Sequence, residues 1–188
     1  MNKMEYLDLI KKWHEKARDE DYFSKFVFEY LAFIAFLKTQ LFESNDSDRI
    51  VIQKLKQDLE IKFKFIEKVN SNPLLKQDLQ IIKQKLDTIP LGDNSRNLNG
   101  AAEEIIWWNC SYENTNQKTS QEKNMLSGVL HSIEDWENII EFWYSVRNNL
   151  FHGAKNPENE RDQFVVKYGY LTLKELTKVL LENEEIRN

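Results

Sequence analysis

Residues 26–37 read FVFEYLAFIAFL. As a helix this run is apolar on nearly every side, and a helix of that kind has to be buried at the centre of a fold. It carries Glu29 and is too short to span a bilayer, which takes about 20 apolar residues. Its place is therefore the middle of a helical bundle. Little elsewhere competes with helix. Strict apolar–polar alternation is rare, and the Asn-Gly turn signal occurs once, at Asn99-Gly100. Five Gly and three Pro in 188 residues leave few turns, so the elements are expected to be long. The expected fold class is all-α, an antiparallel bundle of five to seven helices in one domain covering residues 1–188.

The periodicity predicts a first helix over 3–19, with Leu7, Ile10, Trp13 and Ala17 on one face, and a second over 22–43. The polar run SNDSDR, residues 44–49, breaks the chain with capping residues. A third helix is expected over 48–69, and SNP at 71–73 caps a fourth that reaches about Leu86. Residues 90–100 read as a loop, AAEEIIWWN as a short helix, and residues 110–124 as a mobile polar segment. Ser132 and Asp135 have capping-box spacing, which starts a helix at about 133 unless it merges with an earlier turn from 125, and Gly153 ends it as a C′ glycine. A last amphipathic helix runs to about 183.

The hydrophobic share of 41% and charged share of 30% belong to a soluble globular chain. Five Trp, seven Tyr and eleven Phe are more bulk than a minimal bundle needs, and fit a large buried surface that extends to a subunit interface. Cys110 is the lone cysteine, so neither an internal disulfide nor a thiolate zinc site is expected. The start, MNKMEYLDLIKKWHEK, lacks the apolar core of a signal peptide, and a cytoplasmic, membrane-free protein is expected. A net charge of −5 argues against holding long nucleic acid by charge alone, and leaves room for a small local RNA site.

The stretch VRNNLFHG, residues 146–153, closes a helix whose stripe is Trp136, Ile139, Ile140, Trp143, Val146 and Leu150. Arg147 lies among bulky aromatics, where an unpaired charge is expensive. Either a partner carboxylate or a cleft open to anionic ligands must accompany it. His152 sits just before the glycine, where unwinding can swing its ring toward Arg147, and Asn148 adds a neutral donor and acceptor. A histidine can take the proton from a ribose 2′-hydroxyl. An arginine can hold the phosphate in two-point contact. No metal or cofactor is expected. Taken as helix-end residues alone, Arg147 and His152 equally suit the helix dipole.

Arg147-Asn148-x-x-x-His152 resembles the signature motif of the HEPN superfamily: an arginine, a polar residue, spacers, then a histidine. The flanks are similar too. EDWENIIEFWYSV resembles the aromatic helix that leads into the motif, ERDQFVVKYGYLTLKELTKVLL the closing helix, and KFVFEYLAFIAFLKTQLF the central helix. The resemblance implies an all-α bundle that forms a homodimer with the two motifs facing across a cleft. It implies metal-independent endoribonuclease activity, with Arg147 and His152 as catalytic residues and Asn148 in the polar position. Many such proteins are toxins paired with an antitoxin protein, or act in phage defence. Others are non-catalytic modules that bind a protein or nucleotide. Many two-gene toxins of the family carry a tyrosine two residues after the histidine; here that residue is Ala154, which argues against regulation through it. Asn149 and Lys155 are further candidates to touch RNA. Glu29 either orients Arg147 or His152, or reaches solvent. His14 and His131 read as surface or packing residues, Tyr168 and Tyr170 as packing rather than base-stacking residues, and Trp107-Trp108 as core, interface or a stacking platform.

Overall fold

A computed structural model describes residues 3–18, 21–42, 45–89, 91, 128–151 and 156–187. They form helices α1 (Lys3–Lys16), α2 (Tyr22–Phe36), α3 (Asp48–Gln57), α4 (Leu59–Ser71), α5 (Pro73–Thr88), α6 (Trp136–Phe151) and α7 (Glu160–Arg187), with no strand among the described residues. The fold is an all-α bundle.

Helix ends follow local chemistry. The Asp21 carboxylate accepts from the Phe23 and Ser24 amides at 2.8 and 3.3 Å and starts α2. Asn72 caps α5 in the same way, with Pro73 in the first turn, where its missing N–H costs nothing. α2 passes directly into a π-helical turn, Leu37–Leu41, closed by Phe42 N donating to Leu37 O at 2.8 Å. Within it the Thr39 hydroxyl donates to the Ala35 carbonyl at 2.7 Å, a local bond that competes with the regular ladder. Such single turns interrupt the regular α-helical ladder.

Three expectations are corrected. The single helix over 48–69 is two helices, because Asp58 leaves helical geometry (ψ 101°) and its carboxylate accepts from the Ile61 amide at 3.0 Å, capping α4. The box at the start of α6 does not close. Ser132 Oγ accepts from Glu134 N at 3.2 Å, while Asp135 turns back to the His131 amide at 2.9 Å, so the helix begins at Trp136. α7 runs to Arg187, past the expected 183. The expected helix in 101–109, the polar segment 110–124, the Trp107-Trp108 pair and Gly153 lie outside the described residues.

As expected of its all-round apolarity, α2 is central, burying Phe26, Tyr30, Phe33 and Phe36 against α1 and α7. Phe33 and Phe65 meet Trp143 edge-on, at centroid distances of 6.4 and 5.8 Å. Each such ring contributes about 1.5–3 kcal/mol by leaving water. The Trp143 indole donates to Thr172 Oγ1 at 2.9 Å, so its burial leaves no unmet donor. Gly169 lets α7 approach closely: a Cβ there would stand 3.0 Å from the Phe26 ring and 3.7 Å from Val146. α7 is thereby brought close to both α2 and α6.

Candidate active site

α6 is apolar on most of the faces that meet the core, yet Glu141, Tyr144 and Arg147 follow one another at three-residue steps, with Asn148 four residues after Tyr144. That spacing puts them on one stripe. The stripe faces α3, which returns Asp48, Arg49 and Lys56. A polar seam therefore runs between two helices of an otherwise greasy bundle.

At one end of the seam the Glu141 carboxylate, almost fully buried, takes both Lys56 and Arg49. Arg49 Nη1 lies 2.7 Å from Oε1 and 2.9 Å from Oε2, and Lys56 Nζ bonds Oε1. A buried carboxylate persists as an ion only with such company. The Arg49 guanidinium also stands 5.2 Å from the centre of the Tyr144 ring.

At the other end is Arg147. Its Nη2 donates to Asp48 Oδ2 at 3.2 Å and its Nη1 to Asn148 Oδ1 at 3.0 Å. The guanidinium lies 4.8 Å from the Phe151 ring centre and 5.7 Å from that of Tyr30. Lys38, on the π-helical stretch, meets the other oxygen of Asp48 at 2.7 Å. One carboxylate thus bridges two cations. About a quarter of the Arg147 and Asp48 side-chain surfaces remains open to solvent, so the pair sits at a mouth rather than in the core. Of the two provisions an arginine in this setting requires, the partner carboxylate is present, and it is Asp48.

Beneath Arg147, Tyr30 is buried and its hydroxyl has no hydrogen-bond partner among the described residues; the same holds for Arg147 Nε. Burial pushes the Tyr30 phenol far above its ordinary range; the positive charge of Arg147 opposes this, while the Asp48 and Glu141 carboxylates add to it. Tyr30 is therefore neutral, a donor held next to a guanidinium.

The candidates from sequence are distributed unevenly. Arg147 and Asn148 are together. Asn149 is completely buried on the opposite side of the helix turn, so it is enclosed by protein and does not present its amide to RNA in this conformation. Glu29 neither orients Arg147 nor reaches solvent. It is fully buried and its oxygens lie 2.9 and 3.0 Å from Nδ1 of His14, which is itself buried, so this acid ties α1 to α2. His131 lies at the start of α6 against Asp135, at 2.9 Å. His152 and Lys155 lie outside the described residues. Sequence reasoning missed Tyr30, Lys38, Asp48 and Glu141. The three-residue polar rhythm of α6 was a readable trace of the seam, whereas nothing local in α2 or α3 pointed to it. Among the described residues no group of three or more His, Cys, Asp or Glu side chains could hold a metal ion, and no helix is long and apolar enough to cross a membrane.

Neither a family model, a curated protein nor a solved structure matches this chain.

Proposed function

We propose that the protein is a metal-independent endoribonuclease of the HEPN type, acting as a homodimer toxin or phage-defence effector, with Arg147 and His152 as its catalytic residues. One observation carries the reading: an arginine is held at the solvent-facing end of a buried aromatic helix, clamped by two rings and steered by Asn148 and Asp48, five residues before a histidine. A guanidinium so placed is pre-organised for a phosphate, because little side-chain freedom is left to lose on binding.

In this mechanism His152 takes the proton of a ribose 2′-hydroxyl, and the 2′ oxygen attacks the adjacent phosphorus. Arg147 holds the non-bridging oxygens as charge builds on them. The bond to the 5′ oxygen breaks and that oxygen takes up a proton. The products are a 2′,3′-cyclic phosphate and a 5′-hydroxyl. RNA and a second copy of the chain are the partners this requires, and a toxin role adds an antitoxin protein. Asp48 occupies on Arg147 the position an RNA phosphate would take, so substrate must displace it.

The test is cleavage of total RNA in EDTA by wild type, Arg147→Ala and His152→Ala, with folding and dimerisation checked for each. Cleavage by the wild type alone is expected, with cyclic phosphate ends. Activity abolished by EDTA and restored by magnesium overturns the mechanism. A second reading, a non-catalytic module of the same family that binds a protein or nucleotide, is favoured by the closed Asp48–Arg147–Asn148 contact. It predicts intact RNA with clean dimeric protein, and stability lost in Arg147→Ala.

A further inference from the structure

Where the start of α2 crosses the middle of α7, tyrosines and lysines interleave. The rings of Tyr22 and Tyr170 meet across the two helices at 6.2 Å. Lys25 Nζ stands 5.2 Å from the centre of the Tyr22 ring and 5.9 Å from that of Tyr170. Lys167 Nζ is 5.5 Å from both Tyr22 and Tyr168, and Lys174 Nζ is 5.4 Å from Tyr170. The pattern follows from helical spacing: 167, 170 and 174 lie along one face of α7, and 22 and 25 along one face of α2. Tyr22 is exposed, Tyr168 and the lysines are partly so, and Tyr170 forms the floor.

None of these lysines has a salt bridge to a carboxylate among the described residues. Asp78 feels the charges of Lys174 and Lys167, and Glu29 and Glu175 act on Tyr170. Packing alone would satisfy the ring bodies, but it does not account for cations gathered over ring faces at the surface of a chain whose net charge is −5. Exposed cation–π contacts are weak and readily exchanged. An incoming base can take a ring face while the lysine moves to the phosphate beside it.

We propose that this Lys–Tyr face binds single-stranded nucleic acid, with bases stacking on Tyr22 and Tyr168 and with Lys25, Lys167 and Lys174 on the phosphates. Stacking platforms with neighbouring cations hold single strands with little sequence preference. An acidic peptide would use the lysines and leave the rings idle. Tyr22 lies eight residues before Tyr30 on α2, about 12 Å along the helix axis, and Arg147 stands over Tyr30. A strand held on this face is therefore close to the candidate active site, yet the binding assigned here stands without any cleavage there.

The experiment measures fluorescence anisotropy of a labelled 2′-O-methyl oligouridylate in EDTA at low salt. That probe lacks the reacting hydroxyl, so binding is read apart from ribonuclease activity. Lys25→Ala with Lys167→Ala, and Tyr22→Ala alone, are each expected to weaken binding about tenfold or more. Tyr22→Phe, which keeps the ring, retains binding and controls for folding. The double lysine variant also lowers the slope of log affinity against log salt by about 1.4. Absence of binding by folded wild type, equal binding by wild type and the lysine and Tyr22→Ala variants, or equal competition by a poly-glutamate peptide overturns the proposal.

Discussion

Replacing Tyr30 by phenylalanine removes one oxygen from the middle of the site and leaves the ring that packs against Phe26 and Phe33 at centroid distances of 6.1 and 5.8 Å. That oxygen is enclosed and has no hydrogen-bond partner among the described residues. A hydroxyl taken out of water without a partner costs about 1–3 kcal/mol. The void left by its removal is roughly 15 Å³, which costs about 0.4 kcal/mol at about 24 cal/mol per Å³. The substitution should therefore stabilise the protein by about 1–2 kcal/mol. In a chain of 188 residues this raises the unfolding midpoint by about 2–8 °C. Urea unfolding at neutral pH, with an unchanged slope against denaturant, is the assay. The pH dependence has a definite sign. The folded-state pKa of the phenol is raised, so the folded protein keeps a proton that the unfolded chain releases near pH 10. The wild type thus loses stability as pH rises above about 10, and this part of the loss is absent in Tyr30→Phe. A variant destabilised by more than about 1 kcal/mol would refute the reasoning, since the hydroxyl would then have a strong partner.

Two further substitutions probe the seam. Glu141→Ala strands the buried Lys56 ammonium and should cost about 3–5 kcal/mol in chemical unfolding, whereas Glu141→Leu combined with Lys56→Met should recover most of it; a double variant as unstable as the single one would contradict that account. Asp48→Asn weakens the carboxylate hold on Arg147 and Lys38. Both sides of the pair are partly exposed, so stability should change by no more than about 1 kcal/mol, while under the proposed activity RNA cleavage at low substrate rises several-fold; unchanged or reduced cleavage by the folded variant would show that Asp48 does not compete with substrate.

Several features were legible in the chain before it folded. The all-round apolarity of residues 26–37 implied a central helix, and α2 is central. Asn72-Pro73 implied a capped start, and α5 begins there. The setting of Arg147 required a partner carboxylate or an open cleft, and the carboxylate came from residue 48, ninety-nine positions away. A contact of that separation leaves no trace in a local pattern. Glu29 illustrates the opposite error. As a lone acid in an apolar run it could face a catalytic group or water, and only the packing of α1 against α2 gives it His14. Asp58 shows that one short polar side chain can break a helix whose apolar period continues through it, because its carboxylate offers the next backbone amides a nearer acceptor.

Periodicity, capping residues and the scarcity of glycine and proline determine which segments become helices and which faces are apolar, because both depend on neighbours within four residues along the chain. Tertiary structure alone decides which charges meet. The polar seam of Asp48, Glu141 and Arg147, and the gathering of Tyr22, Lys25, Lys167 and Tyr170 on one face, arise when helices distant in sequence pack side by side. The strength of those contacts depends on burial and distance, two quantities that exist only once the chain has folded.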